Sequence, residues 1–157
     1  MDLILWRHAQ AEEWAEGDPR LRTDLERALT PRGEKQAARM AQWLDRQLPG
    51  SARILVSPAR RCQQTALALE RRFKTCEELA PGATAAQLLA LAQWPGNKSP
   101  VLVIGHQPTL GQTIAQLLGF QDSDCALRKG ALWWLCSRER EGQLQTIVLA
   151  VQSPEML

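Results

Sequence analysis

Val101-Leu102-Val103-Ile104-Gly105-His106, and far upstream Leu3-Ile4-Leu5-Trp6-Arg7-His8, are the stretches on which the fold turns. Each is a short apolar run closed by a histidine, and the chain has no other histidine. Runs of this length bounded by turn signals read as buried strands. In an open α/β sheet, ligands bind outside the carboxyl ends of the strands. Two imidazoles leaving two strands in the same way are therefore placed to face one pocket. Taken singly, either histidine is equally an ordinary strand-end residue; the repetition is what points to a site.

Outward from these runs, strand and helix signals alternate. A polar loop from Ala11 to Leu29 is acidic at its start and basic later, and Thr30-Pro31 then opens a helix. Threonine serves as N-cap, and proline takes the first helical position, where a missing N–H costs nothing. Ala37, Met40, Ala41, Leu44 and Leu48 recur at helical spacing as one apolar stripe, which Pro49-Gly50 ends. Arg53–Val56 reads as a second strand. Ser57-Pro58 reads as another N-cap and N1 pair, opening a helix with the stripe Cys62, Ala66, Leu69 and Phe73. An extended piece at Thr75–Leu79 leads through Pro81-Gly82 to a helix carrying Leu88, Leu89 and Ala92. After a turn at Asn97–Pro100 and the Val101–Ile104 strand, Pro108 starts a helix with Leu110, Ile114, Leu117 and Leu118 inward and Gly119 at its end. Ala131–Cys136 and Thr146–Val151, joined across Glu141-Gly142, read as a β-hairpin.

Strand–helix alternation predicts an α/β fold, three-layer α/β/α, with a mostly parallel sheet that the C-terminal hairpin makes mixed. No linker, repeat or low-complexity segment interrupts it, so residues 1–157 are expected to form one domain.

Composition narrows the partners. A net charge of +2 gives no reason to expect nucleic acid or membrane as partner. The basic side is mostly arginine, with lysine only at Lys35, Lys74, Lys98 and Lys129. Arginine suits bidentate phosphate or carboxylate recognition, though genomic bias produces the same count. Cys62, Cys76, Cys125 and Cys136 show no C-x-x-C spacing, which leaves zinc-site and thioredoxin-like readings without support. Asp2 precedes only a very short apolar stretch with no basic n-region, unlike a signal peptide. No apolar run approaches the ~20 residues that span a bilayer. The expectation is a cytoplasmic protein with reduced thiols.

Polar residues gather just beyond three strand ends: Arg7-His8, Ser57-Pro58-Ala59-Arg60-Arg61 and Gly105-His106. Arginine beside histidine suits phosphoryl transfer. A neutral imidazole is a good nucleophile toward phosphorus, and a guanidinium can neutralise the phosphate oxygens. A nearby cation also disfavours imidazolium. A helix opening at Ser57 would add free N–H groups that favour anions.

Arg7-His8-Ala9, Leu29-Thr30-Pro31-Arg32-Gly33 with Gln36-Ala37, Ser57-Pro58 with Arg61 and Gln64-Thr65-Ala66, and Gly105-His106 follow in one order. Together they resemble the histidine phosphatase superfamily, also called phosphoglycerate-mutase-like. The short chain, the Arg27-Ala28-Leu29-Thr30 junction and Gly105-His106-Gln107-Pro108-Thr109-Leu110-Gly111 are most similar to its SixA-type phosphohistidine phosphatase branch. The resemblance covers roughly Leu3 to Gly119. It implies that His8 is the histidine that becomes phosphorylated and that His106 donates a hydrogen bond to the phosphoryl group. It further implies that Arg7, Arg27 and Arg61 bind the phosphate, while Arg60 is left at the surface. Thr30, Gly33, Gln64 and Thr65 are read as structural.

The sequence departs from the family pattern in two ways. Ala9 stands where the wider superfamily has glycine after Arg-His, a substitution familiar in the SixA-like branch. No secure counterpart exists for the carboxylic acid that protonates an ester leaving group; Glu77 and Glu78 lie in about the right region but read as a solvated pair. General acid catalysis is worth about 10²–10⁴-fold, and the labile P–N bond of phosphohistidine has less need of it. The resemblance thus implies a phosphohistidine-bearing protein as substrate, with no cofactor and no metal, since two histidines alone lack the further ligands of a zinc site. A phosphatase of small phosphate esters using Glu77 or Glu78, and a phosphate-recognition module without turnover, remain open. So do the oligomeric state and any closure of the loop around Glu12–Arg22.

Overall fold

A computed structural model describes residues 1–157. Ten regular elements follow in order: β1 (Asp2–Arg7), α1 (Pro31–Gln47), β2 (Arg53–Val56), α2 (Arg60–Leu67), β3 (Lys74–Thr75), α3 (Ala85–Ala92), β4 (Val101–Gly105), α4 (Thr109–Leu118), β5 (Leu132–Arg140) and β6 (Gln143–Gln152). They form one six-stranded sheet in the order β3-β2-β4-β1-β5-β6. The first four strands are mutually parallel, and β5 and β6 run antiparallel as the closing hairpin. This is the expected mixed, mostly parallel α/β architecture. No helix is long and apolar enough to cross a membrane.

The three layers follow from side-chain alternation along the central strands. Ile4 and Trp6 of β1, Ile54 and Val56 of β2, and Leu102 and Ile104 of β4 face α1 and α2, meeting Met40, Leu44, Cys62 and Ala66. Leu3 and Leu5, Leu55, and Val101 and Val103 face the other way, against Leu88 and Ala92 of α3 and Leu110 and Ile114 of α4. A strand buried on both faces has no polar side to expose, which is why these runs are continuously apolar. Trp133 and Trp134 split between the same two layers.

Local chemistry sets most of the boundaries. Thr30 Oγ1 accepts from the Gly33 N–H at 3.0 Å, with Pro31 at the first helical position. Thr84 and Gln87 cap α3 reciprocally, so each satisfies an otherwise orphaned N–H. The hairpin turns on Glu141 (φ 53°) and Gly142 (φ 77°), the left-handed pair that a two-residue turn requires. At Gly33 the constraint is contact. A Cβ there would run into the carbonyl of Gln10, the loop that follows the first histidine.

Three expectations need correcting. Ser57-Pro58 does not open a helix: α2 begins at Arg60, its N-cap is Ala59, and no side chain caps it. The Ser57 hydroxyl is taken instead by a long-range partner described below. α2 also ends at Leu67, so Leu69 and Phe73 reach the same core layer from the turn that follows. The piece at Thr75–Leu79 is a two-residue strand followed by a 3₁₀ turn at Glu77–Leu79.

Candidate active site

β1 and β4 are adjacent and parallel, with Arg7 opposite Gly105. His8 and His106 are therefore the next residues out on neighbouring strands, and the His8 N–H continues the ladder to the Gly105 carbonyl at 3.2 Å. Their ring centroids lie 5.3 Å apart, and the planes are tilted by 59°. Both side chains are buried, 5% and 4% exposed.

Hydrogen bonds assign the ring protons. His8 Nδ1 lies 2.8 Å from the Ala9 carbonyl oxygen, which can only accept, so Nδ1 carries the proton. His8 Nε2 is left with its lone pair, toward which Arg61 Nε donates at 3.3 Å. His106 is held the opposite way. Its Nδ1 faces Arg61 Nη2 at 3.3 Å, and a guanidinium can only donate. The proton of His106 therefore sits on Nε2, which donates to Ser57 Oγ at 2.7 Å. Ser57 is fully buried, and its oxygen also accepts from the Ala59 N–H at 3.2 Å.

Both imidazoles are neutral. Burial pushes each down to about 3, and it is the larger cause. For His8 the Ala9 carbonyl opposes it, while the neighbouring His106, Arg61 and Arg7 add to it; for His106, Arg61, Arg27 and Arg7 add to it, with Asp24 opposing. The Cys62 thiol, 3.5 Å from His106 Nε2, is pushed up to about 12, also by burial, and stays protonated.

Arg61 is the hub. Besides its bonds to both histidines, it donates through Nη1 to the Asp24 carbonyl and through Nη2 to Asp24 Oδ2, each at 3.0 Å. Asp24 Oδ1 pairs with Arg27 Nη1 at 3.3 Å, which brings the second predicted arginine to the cluster. Arg7 anchors through Nη1 to the Leu127 carbonyl, and burial and Arg61 together lower its pKa. The Nε atoms of Arg7 and Arg27 are buried without a partner. All five residues expected at the site thus converge. Arg60 is exposed, and so are Glu77 and Glu78, which make no hydrogen bond to any of the five.

The motif residues read as structural hold this cluster in place. Thr65 Oγ1 accepts from the Ala9 N–H and donates to the Arg61 carbonyl, tying the loop after His8 to α2. Gln64 Oε1 accepts from the Leu29 N–H, and Gln36 Oε1 accepts from the Gln10 N–H. Ala9 is fully buried and has no positive φ, so its backbone makes no demand for glycine.

Two features of the site were not legible in the sequence. Ser57 stood at a strand end as a helix opener favouring anions, with nothing to mark it as the partner of His106. Asp24 carried a weak signal, an acid three residues before Arg27 in a loop of mixed charge. No three His, Cys, Asp or Glu side chains gather in a geometry for a metal ion.

Neutral imidazoles over parallel strand ends, ringed by three guanidiniums and one carboxylate, define a class of α/β protein suited to holding an oxyanion. The family is more specific than the class. Residues 3–83 match the model of the histidine phosphatase superfamily (branch 1), and the chain belongs to that superfamily. It is 34% identical over 135 residues to the phosphohistidine phosphatase SixA homolog of Haemophilus influenzae, covering 76% of this chain and 78% of the relative. It is 33% identical over 127 residues to phosphohistidine phosphatase SixA of Escherichia coli, covering 74% of each. The solved structure of the protein histidine phosphatase SixA complexed with tungstate superposes with a TM-score of 0.79, at 26% identity, over 99% of both chains. These likenesses make the chain a phosphatase of the histidine type.

Proposed function

We propose that this phosphatase removes the phosphoryl group from phosphohistidine on a protein, by two transfers through phospho-His8 and without a metal. The observation that carries the reading is the His8 ring: Nδ1–H is committed to the Ala9 carbonyl, so the lone pair of Nε2 faces Arg61. In the first transfer that lone pair forms the new P–N bond as the bond to the substrate imidazole breaks; the leaving nitrogen keeps the electron pair, and the substrate ring, protonated on its other nitrogen, departs as neutral imidazole. In the second, water attacks phosphorus, the P–Nε2 bond breaks with its electron pair returning to Nε2, and dihydrogen phosphate leaves with the oxygen and both protons of water. Arg7, Arg27 and Arg61 neutralise the phosphoryl oxygens as charge spreads over them.

His106 serves as the hydrogen-bond donor, and Ser57 makes that possible. In the free site the His106 proton lies on Nε2. A phosphoryl oxygen arriving at Nδ1 requires a proton there. The Ser57 hydroxyl can accept from Nε2–H or, once rotated, donate to bare Nε2, so it serves either tautomer. Asp24 must give way, because its carboxylate occupies Arg61 and Arg27. Its two oxygens accept from guanidiniums, the role of an acceptor and not of a proton donor to a leaving group. That favours a substrate that leaves without strong acid assistance, as phosphohistidine does. The tungstate bound by the SixA relative supports an oxyanion pocket in this fold.

The test is to incubate the protein with a phosphohistidine-bearing protein and trap acid-labile phosphate on the enzyme. A His8→Ala variant is expected to lose both the trapped phosphate and turnover. Full turnover by that variant overturns the reading, and so does strong turnover of sugar phosphates with none of phosphohistidine.

A further inference from the structure

We propose that a basic groove running from Arg7 along α1 docks an acidic segment of the substrate protein beside its phosphohistidine. The proposal rests on the phosphohistidine reading above. One hollow of about 590 Å³ is lined by Arg7, Gln10, Arg32, Arg128 and Lys129, among others. A second, of about 240 Å³, is lined by Arg32, Lys35, Arg39 and Pro154, among others. They share Arg32, Gln36 and Glu155, so they adjoin as one groove, which meets the site at Arg7.

The charge along this groove is one-sided and uncommitted. Arg32, Lys35 and Arg39 recur at helical spacing on one exposed face of α1, while Arg128 and Lys129 stand across from it in the loop before β5. None of the five forms an ion pair; every pair in the chain lies elsewhere, on Arg20, Arg27, Arg61, Arg71 and the N-terminus. Glu155 is the single acid in the lining. Between Arg32 and Arg39 the helix advances about 10 Å, at roughly 1.5 Å per residue. That length matches a few residues of a bound segment and exceeds what a single phosphate needs. Exposed cations spread over such a length attract acidic protein surface, raising encounter rates and losing force in salt. The groove has no aromatic side chain on which bases could stack, which favours protein over single-stranded nucleic acid.

Two synthetic phosphohistidine peptides test the proposal, one flanked by Asp and Glu and one by Ser and Gln, with free phosphohistidine as a small probe. The wild-type chain is expected to prefer the acidic peptide by about 10-fold in kcat/KM at low salt, through KM, with the preference fading as ionic strength rises. The triple variant R32E/K35E/R39E is expected to lose or reverse the preference while hydrolysing free phosphohistidine at the wild-type rate. Equal turnover of both peptides by the wild type overturns the proposal, as does a preference that survives the triple variant. Tight binding of a single-stranded oligonucleotide that the variant abolishes, without any peptide preference, assigns the groove to nucleic acid instead. Failure to hydrolyse any of the three phosphohistidine probes is a separate outcome and overturns the phosphohistidine reading itself.

Discussion

Mild acid is expected to destabilise this protein sharply, because two histidines are folded in the neutral state. Burial is the first cause that holds His8 and His106 each down to about 3. On unfolding, both return to the ordinary value near 6.5. Between those values the unfolded chain binds protons that the native chain does not, so stability falls as pH falls through that window. Above about 6.5 both states are neutral, and the histidines contribute no slope. At pH 5 an unfolded histidine is protonated about 30-fold over its neutral form, which is worth about 2 kcal/mol while the native ring stays neutral. Two rings give roughly 4 kcal/mol between pH 7 and pH 5, a large share of a typical domain's stability. Urea unfolding at the two pH values and fixed ionic strength measures the loss, with the doubly substituted His8→Asn, His106→Asn protein reporting what the carboxylates alone contribute. The wild type is expected to lose about 4 kcal/mol more than the variant. Equal losses, or an imidazole resonance titrating near 6.5 in the native state, refute the assignment of neutral, buried rings. The same state predicts that kcat/KM, which reports ionisations of the free enzyme, shows no break near 6.5 on the acid side.

Removing the Ser57 hydroxyl (S57A) is expected to lower kcat by about 10-fold or more with little change in KM, since His106 Nε2 and the Ala59 N–H lose a buried partner worth about 1–3 kcal/mol. The imidazole ¹⁵N shifts of His106 should show a changed tautomer population. An unaltered tautomer with unaltered kcat refutes the positioning role. Gly33→Ala is expected to destabilise by about 1–3 kcal/mol despite alanine's better helix propensity, because the new Cβ meets the rigid Gln10 carbonyl. A denaturation midpoint equal to or above that of the wild type shows that the loop yields at no cost.

The layers were legible because their signals are local. The continuous apolar runs of β1 and β4 mark strands covered on both faces, and Thr30-Pro31 and Gly119 mark helix ends by chemistry within one turn. Two parallel runs each ending in histidine placed the site at the strand ends before any geometry was known. The hairpin was legible in position but not in extent. β5 and β6 continue to Arg140 and from Gln143, where polar side chains follow the ladder beyond the core and hydropathy no longer reports it.

What escaped reading was long-range and polar. Ser57 looked like a cap because Ser-Pro caps helices within a few residues, whereas its actual partner, His106, is 49 residues away in the chain. Asp24 was one acid among several in a charged loop, and only the folded loop brings it to Arg61, 37 residues on. The arginines expected to disfavour imidazolium do lower both histidines, but they do not act alone. Burial is the larger cause for both rings, with the guanidiniums secondary. This division has a chemical consequence. If the cations alone kept His8 neutral, an arriving phosphoryl dianion would cancel their effect at the moment the lone pair is needed. In the proposed mechanism, a ring kept neutral mainly by burial keeps its lone pair free to attack while the arginines turn their charge to the phosphoryl oxygens.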